Sequence, residues 1–270
     1  MILQCGRPLA ACLVLALLTL GASAEFVAPF VVTPQRDVDR MMRLADVGPG
    51  DYLIDLGSGD GRIVIAAAER GAVGHGIELD ANLVRESWLR AEGAGVRDRV
   101  SFVNQDLFRS DFSRATVVTM YLMPDVVLRL RSVLFEQLAP GTRIISNSFP
   151  MGDWEPEQHI SAAVSGGLYL WIVPARVDGH WTLTIEGGSD PMDLVIEQHF
   201  QQIEPQLQAR DQGFFMEDVR LHADRIDFHA VHRHGGYRFS GRVEGDVMRG
   251  YVHVHDGDEV TVAHWEAWRS

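Results

Sequence analysis

The chain has 270 residues, with 24 basic residues, all of them arginine, and 37 acidic residues, so its formal net charge is −13. Hydrophobic residues make up 46% and charged residues 23%, a balance that is typical of a folded globular protein and not of a disordered chain. The acidity argues against non-specific nucleic-acid binding, because no excess of basic side chains is present to neutralise phosphates.

The first 24 residues have the layout of a secretory signal peptide. Arg7 precedes an apolar run over residues 9–20, and an Ala-Ser-Ala cleavage site follows at residues 22–24. The run is shorter than the roughly 20 apolar residues that a membrane-spanning helix needs. We therefore predict an exported protein, periplasmic or secreted, and an uncleaved membrane anchor is the alternative. Both cysteines lie in this segment, so the mature chain would have no disulfide and no cysteine ligand for a metal.

Strand and helix patterns alternate over residues 33–175. The predicted strands cover residues 52–56, 73–78, 100–103, 116–121 and 142–146. The predicted helices lie around residues 38–45, 63–68, 82–91 and 124–138. This alternation predicts an α/β domain in which a parallel sheet has helices on both faces.

Residues 176–270 have a different pattern, of short strand-like runs without helices. These runs cover residues 181–185, 194–200, 226–231, 237–243, 248–255 and 260–268. Glycine-containing pairs separate them, at residues 187–188, 235–236, 245–246 and 256–257. The pattern predicts a second domain, an antiparallel β sandwich or barrel.

Seven of the eleven histidines lie after Leu221, within this second region. His232 and His234 would share one strand face, as would His253 and His255. Imidazoles on neighbouring strands can bind zinc or copper. Alternate polar positions on the solvent face of a half-buried sheet explain the pattern more simply, so no metal site is predicted.

The most informative motif is Asp-Leu-Gly-Ser-Gly-Asp-Gly-Arg at residues 55–62, between a predicted strand and a predicted helix. Glycines there allow positive φ and a close approach of the backbone to a ligand. A nicotinamide site prefers the spacing G-x-G-x-x-G, with pyrophosphate at the helix N-terminus. Here the spacing is G-x-G-x-G, and Asp55 would repel a pyrophosphate but suit a ligand with an amino group. A nucleotide-dependent oxidoreductase is therefore disfavoured.

Two further acids follow the next two predicted strands. Glu78 ends the second strand, where a carboxylate can accept hydrogen bonds from both hydroxyls of a ribose. Asp106 follows the third strand, where it can accept a hydrogen bond from an adenine amino group. Because ligands of open parallel sheets bind at the carboxyl ends of the strands, these acids and Asp55 predict a nucleoside site.

Three motifs together resemble class I S-adenosylmethionine-dependent methyltransferases: residues 55–62, 76–80 and 104–107. The sequence is also similar to the seven-strand lysine methyltransferases, a branch that includes the mitochondrial enzymes acting on the ATP synthase c-subunit and the adenine nucleotide translocase. This closer resemblance rests on residues 55–64, a preceding segment containing Pro34, the Tyr-Leu-Met-Pro run at residues 121–124, and a Phe-x-x-x-x-Trp segment at residues 149–154.

The resemblance implies a Rossmann-like class I methyltransferase sheet over residues 33–175 and S-adenosylmethionine as the cofactor. The cofactor-binding residues that it implies are Asp55, Gly57, Ser58, Gly59, Glu78, Asp106 and Leu107. It also places Tyr121, Asp153 and Trp154 at the substrate side as candidate catalytic residues. Their simpler roles stay open: Tyr121 as a core aromatic residue, Asp153 as a turn residue, and Trp154 as packing between the two domains.

The resulting expectation is methyl transfer to an amine of a protein, with lysine as the acceptor that the resemblance suggests, or to a small amine. We expect no nucleic-acid partner, and a membrane contact only if the N-terminal segment is uncleaved. The alternative is an exported, non-catalytic protein that keeps the fold and binds a nucleoside or a partner. Export favours that alternative, because S-adenosylmethionine is made in the cytoplasm; the intact set of acids favours the enzyme.

Overall fold

The computed structural model of the chain describes residues 31–161, 166–188, 190–210, 212–233 and 235–270. The predicted signal peptide and His234 lie outside the described residues. No helix within these ranges combines the length and the apolar character that crossing a membrane requires.

The first of two sheets has seven strands and four accompanying helices. The strands are β1 (Tyr52–Leu56), β2 (Val73–Glu78), β3 (Val100–Asn104), β4 (Val117–Met120), β5 (Arg143–Asn147), β6 (Gln158–Ile160) and β7 (Leu168–Ile172). The helices are α1 (Gln35–Leu44), α2 (Arg62–Glu69), α3 (Ala81–Gly93) and α4 (Pro124–Gln137). The spatial order is β3-β2-β1-β4-β5-β7-β6. Strands β1 to β5 are parallel, whereas β7 is antiparallel to both of its neighbours.

Helices cover both faces of this sheet, as the sequence predicts. Successive side chains of a strand point to opposite faces, so Leu53 packs in one core with α1 and α2 while Ile54 packs in another with α4. The strand order reverses between β1 and β4. This reversal opens a crevice at the carboxyl ends of these two strands, which is where open α/β sheets bind ligands.

The second sheet is an antiparallel meander of nine strands. They are β8 (Gly179–Ile185), β9 (Met192–His199), β10 (Gln202–Ala209), β11 (Gln212–Gly213), β12 (Phe215–His222), β13 (Arg225–His232), β14 (Gly235–Glu244), β15 (Val247–Asp256) and β16 (Glu259–Arg269). Their order is β11-β10-β9-β8-β16-β15-β14-β13-β12. The two edge strands, β11 and β12, are separated in the chain only by Phe214, so the sheet must curl until its edges nearly meet. The result is a nearly closed barrel.

An aromatic contact joins the two sheets. The ring of Trp154, which follows β5, stacks on the ring of Phe200, which follows β9, with centroids 4.7 Å apart and planes at 1°. Phe135 of α4 meets both rings edge-on. The indole of Trp171 in β7 donates a hydrogen bond of 2.8 Å to the backbone carbonyl of Trp154. These contacts fix the barrel against the α4 side of the first sheet.

Some sequence expectations were incomplete. Strands β6, β7, β10, β11 and β12 were not predicted. The sandwich alternative is wrong, because all the strands after residue 176 join one sheet. The turn expected at Gly235 and Gly236 is also wrong, since both residues lie in β14. A Cβ at Gly235 would collide with the carbonyl oxygen of His255, so glycine here permits close strand pairing instead of a turn.

Candidate functional site

The glycine-rich turn after β1 is fixed to the end of β2. The backbone amides of Gly57 and Ser58 both donate hydrogen bonds to the carbonyl of Ile77, at 2.9 and 3.0 Å. Gly57 has φ of +73°, and a Cβ added there would lie 2.8 Å from Cδ2 of Leu122, the second residue after β4. The positive φ, which glycine adopts without strain, therefore suits a turn that passes close to the end of the neighbouring strand.

Asp55 lies at the base of this turn and is almost fully buried, with 2% of its surface exposed. Its Oδ1 accepts a hydrogen bond of 2.7 Å from the hydroxyl of Thr119, its partner across the β1–β4 pair. Burial raises the pKa of Asp55 to about 7; the hydrogen bond from Thr119 opposes this shift, and the charges of Glu78 and Asp60 add to it. A positively charged ligand group beside Asp55 would stabilise its ionised form.

Glu78 is held in a fixed orientation at the end of β2. Its Oε2 accepts a hydrogen bond of 2.9 Å from the amide of Gly59, and its Oε1 accepts bonds from the amides of Leu79 and Asp80 at 2.8 and 2.9 Å. A carboxylate offers about four acceptor positions, and three of them are filled here by backbone amides. The side chain thus links the glycine turn to β2 and keeps acceptor capacity at the sheet edge.

Asp106 and Ser58 complete the polar set at this edge. Oδ1 of Asp106 accepts a hydrogen bond of 2.9 Å from the amide of Phe108 and begins the short helical turn that contains the partly buried Leu107. The hydroxyl of Ser58 is buried and has no hydrogen-bond partner among the described residues. An unpaired buried hydroxyl is costly unless a ligand supplies its partner. These residues therefore fit a nucleoside ligand with a cationic amino group.

Asp60 has a structural role in the same turn. Its carboxylate pairs with Arg62 at the start of α2 and with Arg90 of α3, the latter at 3.1 Å. Although burial raises the pKa of Asp60, the bonds and charge of Arg62 and the charge of Arg90 hold it below its usual range. Arg62 also donates a hydrogen bond of 2.8 Å to the carbonyl of Thr33, which ties the segment before α1 to the turn.

The three candidate catalytic residues lie in two different places. Tyr121 is half-buried and directly follows Met120, which pairs with Leu56, so it lies at the same sheet edge as the glycine turn. Trp154 is buried in the aromatic contact between the sheets. Asp153 lies beside it, and this placement makes both residues part of the contact with the barrel.

Asp153 is largely exposed and forms ion pairs with Arg131 of α4 and with Nε2 of His199 in β9, the latter at 2.9 Å. A hydrogen bond from its own backbone amide, together with the charges of Arg131 and His199, holds the pKa of Asp153 below its usual range. A carboxylate in this state accepts a proton less readily than an ordinary one. The geometry therefore favours a bridging role between α4 and β9.

In the part of the chain that the structure describes, no group of three His, Cys, Asp or Glu side chains, in the barrel or elsewhere, is placed so that it could hold a metal ion. His253 and His255 lie exposed on β15.

Sequence reasoning did not identify three residues on the face of the sheet that carries Asp55: Thr119, Asn147 and Asp37 of α1. Thr119 had a detectable signal, because it is the one hydroxyl inside the apolar run of residues 117–120. Asn147 and Asp37 had none, because their full burial arises from tertiary packing that the local sequence does not reveal.

Comparison with known proteins gives a family match over the same part of the chain. Residues 55–158 match the model described as the ANTKMT methyltransferase domain. A protein-lysine N-methyltransferase of Saccharolobus islandicus (strain REY15A) is 38% identical over 152 residues, which are 54% of this chain and 93% of that protein. The human lysine N-methyltransferase named for the ATP synthase c-subunit is 36% identical over 129 residues, which are 48% of this chain. The match spans 55% of the human enzyme's length.

A solved structure is also similar. It is the crystal structure of an RNA methyltransferase from Salinibacter ruber in complex with S-adenosyl-L-homocysteine. The TM-score is 0.53 and the sequence identity 50%, and the alignment covers 54% of this chain and 96% of that one. The bound product of S-adenosylmethionine in that structure agrees with the nucleoside-binding set described above.

Proposed function

We propose a lysine side chain of a separate protein as the methyl acceptor, because this chain belongs to the family of S-adenosylmethionine-dependent protein-lysine N-methyltransferases. The observation that carries the proposal is the 38% identity to the archaeal protein-lysine N-methyltransferase over 93% of its length. These similarities do not favour the non-catalytic alternative, and the acids of the predicted cofactor site are all present.

When bound, S-adenosylmethionine supplies an electrophilic methyl group on a sulfonium sulfur. In our proposal Asp55 binds the cationic amino group, Glu78 accepts hydrogen bonds from the ribose hydroxyls, and Asp106 binds the adenine amino group. Ser58 and the glycine turn allow the backbone to approach the nucleoside closely. These contacts orient the cofactor, and orientation is the main requirement of an in-line displacement.

Tyr121 is our candidate for contact with the acceptor amine. It follows β4 at the edge where the glycine turn lies. A phenol hydroxyl can accept a hydrogen bond from an amine, and the face of its ring attracts a cation. The amine must be unprotonated to attack, although a free lysine has a pKa near 10.4. Removal of the amine from water lowers that pKa, and a nearby general base can take the proton.

The composition of the chain supports an acceptor on another protein. The chain contains no lysine, so it has no lysine side chain of its own to methylate. Its net charge of −13 attracts a basic acceptor protein and repels RNA. This charge argues against the second candidate function, RNA methylation, which is suggested by the name of the Salinibacter ruber relative.

The experiment that tests the proposal incubates the purified protein with radiolabelled S-adenosylmethionine and two separate fractions of the source cells, total protein and total RNA. The expected result is label in protein, with methyl-lysine identified by mass spectrometry. The c-subunit of ATP synthase is the first single substrate to assay, because the human relative is named for it. Asp55→Ala is the matched inactive control. Label confined to RNA would replace the proposal with the second candidate.

We also propose that residues 1–24 direct export and that residues 33–175 and 176–270 are two domains of the mature protein. The support for export is the apolar run and the Ala-Ser-Ala site in the sequence. N-terminal sequencing of the native protein, together with cell fractionation, tests it. A protein that begins at Glu25 outside the cytoplasm is expected. A cytoplasmic protein that begins at Met1 would contradict export and remove the problem of cofactor supply.

A further inference from the structure

Two fully buried polar side chains have atoms without hydrogen-bond partners, and the cofactor site does not use them. Asn147 ends β5, and its Nδ2 has no such partner among the described residues. Asp37 lies in the first turn of α1, and neither of its carboxylate oxygens accepts a hydrogen bond there. Leaving such groups buried and unpaired costs free energy, so a ligand that pairs them is the expected explanation.

Asn147 lies at the sheet edge beside the candidate substrate residue. It follows Ile145 by two positions, so both side chains point to the face that also carries Asp55 and Thr119. In the β4–β5 pair, Met120 lies opposite Ser146. Tyr121 and Asn147 each follow this last pair by one residue, which places both at the same end of the two strands.

The backbone after Asn147 is strained. Ser148 has φ of +74°, which is rare for a residue other than glycine. The amide of Ser148 donates a hydrogen bond of 2.8 Å to the carbonyl of Gly167, and a Cβ at Gly166 would lie 3.1 Å from the carbonyl oxygen of Ser148. Gly166 and Gly167, just before β7, thus hold Ser148 in this conformation, and strain maintained in this way is typical of functional positions.

Asp37 lies near the same edge. At one end, Arg62 after the glycine turn donates to the carbonyl of Thr33; at the other end, Arg143 at the start of β5 donates to the carbonyl of Ala45. Helix α1 therefore runs opposite to β5. Asp37 lies about 12 Å along the helix from Ala45. Asn147 lies about 13 Å along the strand from Arg143, so the two unpaired groups are at a similar level.

The charges around Asp37 leave its oxygens available. Arg36 and Arg40 approach Oδ1 at 3.8 and 3.6 Å, but both are exposed, and neither donates a hydrogen bond to it.

Among the described residues, the side-chain amide of Asn147 has one hydrogen bond: its Oδ1 accepts a bond of 3.1 Å from the hydroxyl of Ser148. If the amide turns over, Nδ2 donates to that hydroxyl and Oδ1 becomes the unpaired atom. Both side chains can then accept hydrogen bonds from one ligand.

We propose that Asp37, Tyr121 and Asn147 form the pocket that binds and orients the acceptor amine. This inference rests on the proposed function, because an amine is the ligand whose N–H groups would pair these acceptors. Asp37 supplies a negative charge for the ammonium form. The amine then releases one proton to solvent, and Asn147 accepts a hydrogen bond from an N–H group that remains. The remaining lone pair of the nitrogen is then free to face the methyl group.

The test compares two ligands that differ at the methyl position: S-adenosylhomocysteine, which lacks a group there, and sinefungin, which carries an amine there. Calorimetry gives both dissociation constants for the full chain and for Asn147→Leu and Asp37→Leu, whose new side chains have nearly the same shape as the old ones. Asp39→Leu, on the same helix, and Asn82→Leu, on α3, are the matched controls.

We expect the wild-type protein to prefer sinefungin and each pocket variant to lose about ten-fold of that preference, which is about 1.4 kcal/mol. Affinity for S-adenosylhomocysteine should be unchanged in every variant. The melting temperature of the pocket variants should change little, because Asp37 loses only long contacts with two exposed arginines and Asn147 loses one hydrogen bond from Ser148. The controls should retain the preference.

An unchanged preference in both pocket variants would overturn the inference, and so would a wild-type protein that prefers S-adenosylhomocysteine. A lower melting temperature with an intact preference would assign the two residues to folding alone. If a leucine variant does not fold, Asp37→Asn and Asn147→Ala give the same comparison. Because this test needs no acceptor protein, failure of the proposed lysine methylation in the cell-fraction assay is a separate result.

Discussion

The two sheets of this protein differ in what they bury. All eleven buried polar or charged residues of the described chain lie between Thr33 and Asn147, before the second sheet begins. The barrel buries mainly apolar side chains. Its largest fully buried residues are aromatic: Trp181, Phe228, Phe239 and Trp265.

This difference indicates that the first sheet and its helices contain the ligand-binding groups, whereas the barrel contributes mainly apolar packing. Burying a polar group lowers stability unless the group is paired, and Asp37, Ser58 and Asn147, whose buried atoms have no hydrogen-bond partner, all belong to the first sheet and its helices. The barrel contains no comparable group in the part that the structure describes. The unpaired polar groups therefore lower the stability of the first sheet at the carboxyl ends of its strands. The aromatic contact with the barrel adds apolar packing on the face of this sheet that α4 covers.

The largest expected effect comes from removing the contact between the two sheets. Trp154→Ala should lower the free energy of unfolding by about 3–5 kcal/mol, because a fully buried indole leaves a cavity. Urea denaturation measures this change. Trp268→Ala, at an exposed tryptophan of β16, is the control and should have a much smaller effect. A loss below about 1 kcal/mol for Trp154→Ala would mean that the stacked rings contribute little to stability.

The next largest effect is expected at Asp55, at the carboxyl ends of the parallel strands. Asp55→Ala should weaken S-adenosylmethionine binding by at least about 100-fold, or 2.7 kcal/mol, because the buried carboxylate is the proposed partner of the cofactor's amino group. The protein should stay folded, because this substitution removes a carboxylate whose ionised form is destabilised by burial. Calorimetry measures the affinity, with Asp111→Ala as an exposed control. Affinity like that of wild type in a folded variant would remove Asp55 from the cofactor site.

Glu78 should have a smaller effect at the same edge. Glu78→Gln replaces the charged carboxylate that we propose as the acceptor of the ribose hydroxyls with a neutral amide, at a cost of about 1.5–3 kcal/mol. The dissociation constant for S-adenosylmethionine should rise about ten- to a hundred-fold. Glu86→Gln, on the exposed side of α3, serves as the control in the same titration. An unchanged constant would limit Glu78 to its bonds with the backbone of the glycine turn.

The sequence predicted the first sheet better than the barrel, for a physical reason. Strands β1 to β5 are apolar runs between helices, and their order along the chain reveals a parallel sheet. Strand β10 contains Pro205 and alternates with glutamine, and β6 is three exposed residues, so neither has a strong local signal. The glycine-rich motif and the position of Glu78 at a strand end placed Asp55 and Glu78 at one sheet edge, and the structure has Glu78 bonded to the glycine turn. Asp37 and Asn147 could not be found, because their burial arises from tertiary packing that no local pattern reveals.

The pH dependence of cofactor binding tests whether burial raises the pKa of Asp55. Because burial raises the pKa of Asp55 to about 7 in the folded protein, its proton must leave before the carboxylate can pair with a cation. S-adenosylmethionine affinity should therefore rise about ten-fold between pH 6 and pH 7.5. Its amino group, with an ordinary pKa of about 7.7–8.0, stays largely protonated over that range.

The same pKa affects stability in the opposite direction. The unfolded chain releases the Asp55 proton near the ordinary pKa, so without ligand this residue makes the folded protein less stable as pH rises from about 4 to about 7. Above pH 7 this contribution is constant. Asp55→Asn should remove both dependences, measured by calorimetry and by thermal unfolding at each pH. A pH profile shared by wild type and Asp55→Asn would assign the titration to another group.

The smallest effect is expected at Asp153, where the two regions meet and where the sequence also allowed a catalytic role. Its carboxylate is exposed and paired with Arg131 and His199, and attraction between exposed charges is weak and screened by salt. Asp153→Asn should therefore leave kcat for protein methylation and the affinity for S-adenosylmethionine unchanged, while slightly lowering the melting temperature at low salt. High salt should erase that difference. A large fall in kcat with an unchanged melting temperature would instead make Asp153 a proton acceptor. The catalytic site would then include a residue at the contact with the barrel.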